Sequence, residues 1–307
     1  MKLRLERSGD VQKVFAARVN SQLEIGEGPR WDPHYQEWTW IDIATGGLFI
    51  GLESRSPAAI FPAPLGSTVR HASGAVLGAC RDGLYAWDGS AQPVKVAHLP
   101  TPLKQLNDGR CDAKGRWWIG GVGLGDTDGC LLRLDLSGSL EVVSRGYALP
   151  NGIDWLGETG VMLHSDSYAH RIFAYDFDPE SGTVDNRRIW WSGTEQDGLP
   201  DGLCVAEDQT VWVAFWGGRV VRQFDPSGSM ISELRTPMSQ PSSVAFGGSS
   251  GTEMFISSAW ADLGESERAD QPWAGDGLII DGLGRSRGEA ECLAPISPLE
   301  GVHNDEK

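Results

Sequence analysis

Leu199-Pro200-Asp201-Gly202-Leu203-Cys204-Val205, Val211-Trp212-Val213-Ala214-Phe215-Trp216 and Val220-Val221-Arg222-Gln223-Phe224-Asp225 are three apolar runs parted by turn residues, Glu207-Asp208-Gln209 and Gly217-Gly218-Arg219. Short runs rich in Val, Trp and Phe between Gly and Asp punctuation read as strands joined by hairpins. The pattern recurs in changed form, and recurrence at a fixed period outranks any local reading.

Working outward, Trp38–Asp42 with Gly47–Leu52, Ala75–Cys80 with Gly83–Asp88, Arg116–Gly120 with Cys130–Asp135, and Gly160–Asp166 with Arg171–Asp176 precede this stretch; Glu253–Ser257 with Gly277–Asp281 follows it. Six all-strand copies roughly 40 to 50 residues apart match the blade period of a β-propeller. One such sheet cannot cover both of its faces, whereas sheets packed radially cover one another. The expectation is an all-β fold, a six-bladed β-propeller forming a single domain over residues 1–307, with a strand over 11–19 closing the last blade and a polar tail over 299–307. No helical periodicity of length is visible. The Ala261 to Gly275 insertion and the Gly121 to Gly129 segment are the longest excursions between matched strands. In repeat proteins such excursions gather on one face.

Composition agrees with this reading and narrows the partners. The 13 Trp and 40 Gly suit many strands joined by tight turns, and 40% hydrophobic content suits a globular core. A formal charge of -16 opposes phosphate backbones and anionic membrane surfaces, so neither nucleic acid nor membrane is expected as a partner. No run approaches the ~18 apolar residues of a membrane span, and the start Met1-Lys2-Leu3-Arg4-Leu5-Glu6-Arg7 lacks an apolar signal core. A cytoplasmic monomer or small homo-oligomer is expected. Cys80, Cys111, Cys130, Cys204 and Cys292 are scattered, without a C-x-x-C pair, and read as reduced, packed thiols.

The start of each copy, before its innermost strand, carries the chemistry. The copies read Gly26-Glu27-Gly28-Pro29, Thr68-Val69-Arg70-His71-Ala72-Ser73, Leu106-Asn107-Asp108-Gly109-Arg110, Pro150-Asn151-Gly152-Ile153, Pro200-Asp201-Gly202-Leu203 and Pro241-Ser242-Ser243-Val244. Equivalent positions in radial repeats meet at one axis, so Glu27, Asn107, Asn151 and Asp201 are expected to converge at one channel mouth. Carboxylates and amide oxygens gathered there would repel or go unpaired without a cation. Such hard oxygen donors suit one divalent ion, Ca²⁺ first, with Mg²⁺, Mn²⁺, Zn²⁺ or Fe²⁺ also compatible. Taken singly, Asn151-Gly152 and Asp201-Gly202 are ordinary turn dipeptides; their shared register argues otherwise.

These motifs, with Gly115-Arg116-Trp117-Trp118 and Val211 to Gly218, resemble in order, from about Leu23 to Asp281, the SMP-30/gluconolactonase/regucalcin-like family. The resemblance implies a six-bladed propeller with one catalytic divalent metal. It implies Glu27, Asn151 and Asp201 as metal ligands and Asn107 as a substrate contact near the metal. Two positions depart from the family pattern. Gln105 stands where members often carry an Arg substrate contact, and the Gly121 to Asp126 loop lacks an acidic contact, with Asp126 the nearest acid.

The resemblance implies metal-dependent hydrolysis of a sugar lactone to the open aldonic acid. Asp201 would act as general base, and Asn107 and Gln105 would contact the substrate oxygens. Two other classes use the same features differently: a calcium-binding regulatory protein without turnover, and a propeller interaction scaffold. A scaffold has no need of carboxylates at the channel mouth. Gly247-Gly248-Ser249-Ser250-Gly251 matches the serine-hydrolase elbow in letters but no helix pattern follows it. The six histidines lack H-E-x-x-H spacing, with His71 alone at a repeat entrance and read as packed or solvated. The Gly120 to Gly125 run has no following Lys and is no phosphate cradle.

Overall fold

The computed structural model describes residues 1–7, 10–157 and 160–296, so the polar tail expected over 299–307 lies outside the described residues. Within each repeat the short apolar strands pair antiparallel with their sequence neighbours. Glu37–Asp42, for example, sits between Gly26–Asp32 and Gly47–Ile50.

The expectation of six separate blades is corrected by the sheet topology. The described residues form five sheets, four of four strands and one of nine, in a propeller-like arrangement. The fifth and sixth repeats share the nine-stranded sheet, because an N-terminal hairpin of Lys2–Arg7 and Asp10–Val19 joins them edge to edge. Lys2–Arg7 pairs with Met230–Arg235, the outermost strand of the fifth repeat, and Asp10–Val19 pairs with Gly277–Asp281 of the sixth. Unpaired strand edges are templates for misassociation, and the hairpin covers two of them at once. Its alternation turns Leu3, Leu5, Val14 and Ala16 into one buried cluster with Leu234, Met254 and Ile280, drawn from both repeats.

The inner strands Gly26–Asp32, Leu65–Arg70, Gln105–Cys111, Pro150–Trp155, Leu199–Val205 and Pro241–Gly247 each neighbour the next, and the last neighbours the first. They therefore ring a channel. Between the sheets lie the apolar clusters, anchored by fully buried Trp38, Trp40, Trp117, Trp118 and Trp212. All five cysteines are free and buried. One helix, Glu265–Asp270, occurs within the Ala261 to Gly275 insertion, and no helix of the described residues is long and apolar enough to cross a membrane. Gly247–Gly251, the elbow-like motif, is the turn between strands Pro241–Gly247 and Glu253–Ser258.

Candidate active site

Every inner strand breaks register near its start. The shifts fall between Glu27 and Arg30, Leu65 and Ser67, Leu106 and Gly109, Pro150 and Ile153, Pro200 and Leu203, and Pro241 and Val244. Such bulges re-aim side chains away from the ladder. Here they aim them into one cavity of about 280 Å³, lined by Glu27, Gln105, Asn107, Asp108, Asn151 and Asp201 among others. In the second repeat the shift lies at Leu65–Ser67, so Gly66 lines the cavity and the entrance read at Thr68–Ser73 was displaced along the chain. His71 is at the far end, its ring nitrogens engaging Ser73 Oγ at 2.7 Å and the Ala294 carbonyl at 3.0 Å.

Carboxylates at the ends of the second strands hold the inner-strand starts in place. Asp42 accepts from the Ile25 N–H at 3.1 Å, and Asp166 accepts from the Leu149 N–H at 2.8 Å. The glycines after the donor residues are required by close approach. A Cβ on Gly152 would stand 2.6 Å from the Asp201 carbonyl, and one on Gly202 would stand 2.1 Å from Ser243 Oγ and 2.7 Å from its Cα. Gly202→Ala is accordingly expected to cost about 1–3 kcal/mol in urea unfolding, as overpacking does, by prising adjacent inner strands apart. An unchanged midpoint would contradict this packing.

The side chains are oriented as well as gathered. Asn151 Nδ2 donates to Ser167 Oγ at 3.1 Å, and that hydroxyl donates to the Pro200 carbonyl at 2.7 Å. Asn107 Nδ2 donates to the Pro150 carbonyl at 2.9 Å. With each NH₂ committed to the wall, each Oδ1 lies on the other branch of its amide as an acceptor. Glu27 accepts from the Gly28 N–H at 2.6 Å.

The electrostatics are those of acids crowded in a dry place. Burial pushes the Glu27 carboxyl up to about 8, the Asp108 charge adds to this, and the Gly28 N–H and Ser243 hydroxyl offset it only in part. Burial, then Glu27 and Asp108, holds Asp201 well above the usual carboxylate range. Asp201 Oδ1 is buried without a hydrogen-bond partner. A buried acceptor left unpaired costs free energy, and native structures retain few of them. Two carboxylates, one of them with an orphaned oxygen, and two amide oxygens outside these bonds are a hard-donor set suited to a divalent cation. Among the described residues no three His, Cys, Asp or Glu side chains group as a cation site by themselves, so the amides are needed to complete the set.

The profile of the SMP-30/Gluconolactonase/LRE-like region matches residues 25–260 of this chain. The chain belongs to that family. Among its relatives, a Bacillus subtilis protein with the provisional name sugar lactone lactonase YvrE is 30% identical over 84% of this chain and 91% of its own. Pentonolactonase XacC of Haloferax volcanii is 26% identical over 88% of this chain and 95% of its own. In fold, the calcium-binding protein regucalcin from Agrobacterium tumefaciens superposes with a TM-score of 0.82, at 22% identity, over 92% of this chain and 98% of its own.

Within this member of the SMP-30/gluconolactonase/LRE-like family, Gln105 is half-buried in the cavity wall beside exposed Lys104. Asp126 is exposed and no residue of 123–128 lines the cavity. Tyr168, Trp216 and Asp262 complete the rim, the last from the Ala261 to Gly275 insertion. Sequence reasoning missed three contributors. Asp108 is the third buried carboxylate, facing Glu27 and Asp201. Ser167 orients Asn151, and Arg30 lies 4.0 Å from Asp108. Asp108 was legible as the neighbour of Asn107 in the same bulge; Ser167 and Arg30 carry no local signal.

Proposed function

We propose that the chain hydrolyses a sugar lactone to its open hydroxy acid, with a divalent cation held by Glu27, Asn151 and Asp201. The observation that carries this reading is the buried Asp201 Oδ1 without a partner, in one cavity with Glu27 and the Asn151 amide. Membership in a family whose relatives include named sugar lactone and pentose lactone hydrolases supports the reaction class. A bound divalent cation would polarise the lactone carbonyl and ease ionisation of a nearby water.

The chain's own residues supply position and proton transfer. Asp201 accepts the proton of the attacking water as the water oxygen bonds to the carbonyl carbon, and the ring C–O bond breaks with return of a proton to the leaving hydroxyl. Asn107 and Gln105 contact the substrate oxygens. The polar wall satisfies sugar hydroxyls that an apolar pocket would leave unpaired.

The test is acid release from a panel of aldonolactones by the chelator-treated protein and by the same protein with Ca²⁺, Mg²⁺, Mn²⁺, Zn²⁺ or Fe²⁺ added. Cation-dependent acid release above the buffer rate is expected. Cation binding without opening of any lactone would reject the hydrolase and leave the non-catalytic calcium-binding reading.

The raised pKa of Glu27 gives this reading a pH signature. Cation binding requires the carboxylate, so affinity should climb with pH and level off above about 8, with protons released on binding at pH 7. The sign for stability is opposite. A carboxyl raised from 4.5 to about 8 favours the folded state most fully below 4.5, and that contribution is lost as pH rises through about 8. Cation-free protein should therefore lose thermal stability across that window, and a saturating cation should flatten the decline. Calorimetric titration in buffers of different ionisation enthalpy reads the proton release. A buffer-independent heat would show that Glu27 is already ionised.

A further inference from the structure

After its last strand, the chain crosses the mouth of the channel opposite the carboxylates. There the C-terminal ends of the inner strands line two further cavities, of about 380 and 520 Å³. The crossing segment, residues 282–296, is fastened to repeat after repeat. The Glu207 N–H donates to the Arg285 carbonyl at 2.8 Å, and Arg287 pairs with Asp154 at 2.6 Å. Glu289 stands between Arg30 at 3.2 Å and Arg110 at 3.3 Å. The Cys292 N–H donates to the Arg70 carbonyl at 2.8 Å, and the Leu293 N–H donates to the Gly115 carbonyl at 2.9 Å.

Cys292 is the inward-facing residue between exposed Glu291 and Leu293, so it lies one side-chain layer below the surface. Its side chain neighbours that of Cys111, the last residue of the inner strand Gln105–Cys111, and both belong to one buried cluster. Cys111 also lines the larger far-end cavity. Two neighbouring thiols, one on the rigid ring and one on a surface segment, need only close to bonding distance for a disulfide to form.

We propose that Cys111 and Cys292 are a redox modification site, forming a reversible disulfide that fastens the C-terminal segment over the far mouth of the channel. A low-molecular-weight disulfide such as oxidised glutathione is the oxidant. Cys292 as thiolate attacks one of its sulfurs and releases one thiol. Cys111 then gives up its proton, attacks Cys292 Sγ in the mixed disulfide and releases the second thiol. The protein loses two electrons and two protons, and the small disulfide gains them. Cys292 is the attacking group because the Cys111 thiol beside it lowers its pKa against the effect of burial, whereas burial raises that of Cys111.

The test is peptide mapping of the whole protein after incubation with oxidised glutathione, unfolding and alkylation. The expected result is a Cys111–Cys292 linked peptide, with Cys80, Cys130 and Cys204 alkylated, and full reversal by a thiol reductant. The link closes a long loop, so the oxidised protein should melt roughly 5–10 °C above the reduced one. Proteolytic cleavage within 282–296 should slow in parallel, and Cys292→Ser should remove both differences. Alkylation of all five cysteines, linkage of a different pair, or identical melting of the two redox forms would overturn the proposal. The mapping uses the unaltered chain, so it stands even if Cys292→Ser folds poorly.

Discussion

Asp201→Asn is expected to lower kcat/KM for lactone opening by about 10³- to 10⁴-fold, the scale of losing a general base together with a charged cation ligand. The substitution keeps the shape of the side chain and the Gly202 turn. It removes a carboxylate that burial and the neighbouring Glu27 and Asp108 disfavour, one of whose oxygens has no partner. The cation-free variant should therefore melt no lower than the parent protein. Loss of activity and cation binding without loss of stability would separate chemistry from folding. Retention of more than about a tenth of the parent rate would remove Asp201 from the role of base, because base removal costs at least about 10²-fold.

The largest effect on stability is expected at the other end of the channel. Arg110→Ala should cost about 3 kcal/mol or more in urea unfolding, within the 3–5 kcal/mol seen when one partner of a buried ion pair is removed. Asp154 is buried, and burial alone would raise its pKa. Arg110 and Arg287, with the Val205 and Trp155 N–H groups, overcome this and hold it below its usual value. Arg110 in turn pairs with both Asp154 and Glu289. Truncation leaves Arg287 as the single cation on Asp154 and frees one side of Glu289, so the loss falls toward the lower end of that range. Glu289→Gln should cost far less, since Asp154 keeps both arginines. A loss under about 1 kcal/mol for Arg110→Ala would place the pair in the class of solvent-screened surface bridges.

Much of this architecture is written in short-range pattern. The run from Leu199 to Asp225 shows three strands and two turns, and every copy of it elsewhere is likewise a set of paired strands. Asn107, Asn151 and Asp201 each follow the last paired residue before the register shift, Glu27 is that last paired residue in its own strand, and all four line one cavity. Where the copy lost its polar residue, the reading slipped. Gly66 has no side chain to mark the entrance, and the more conspicuous His71 drew the register away from it.

The strand repeat and the polar residues at the strand entrances are legible in the chain, because short apolar runs and Asn-Gly or Asp-Gly turns are properties of a few adjacent residues. The sheet count was decided by tertiary structure alone. Lys2–Arg7 could have ended the chain as a loose strand, and only the placement of Met230–Arg235 and Gly277–Asp281 gave its hairpin two edges to join. The same holds for Asp108 facing Glu27 and Asp201, and for Cys292 against Cys111. Those pairings link residues far apart in the chain. They become favourable only when closing the ring of inner strands has already met the entropic cost of bringing them together, and no local pattern records that.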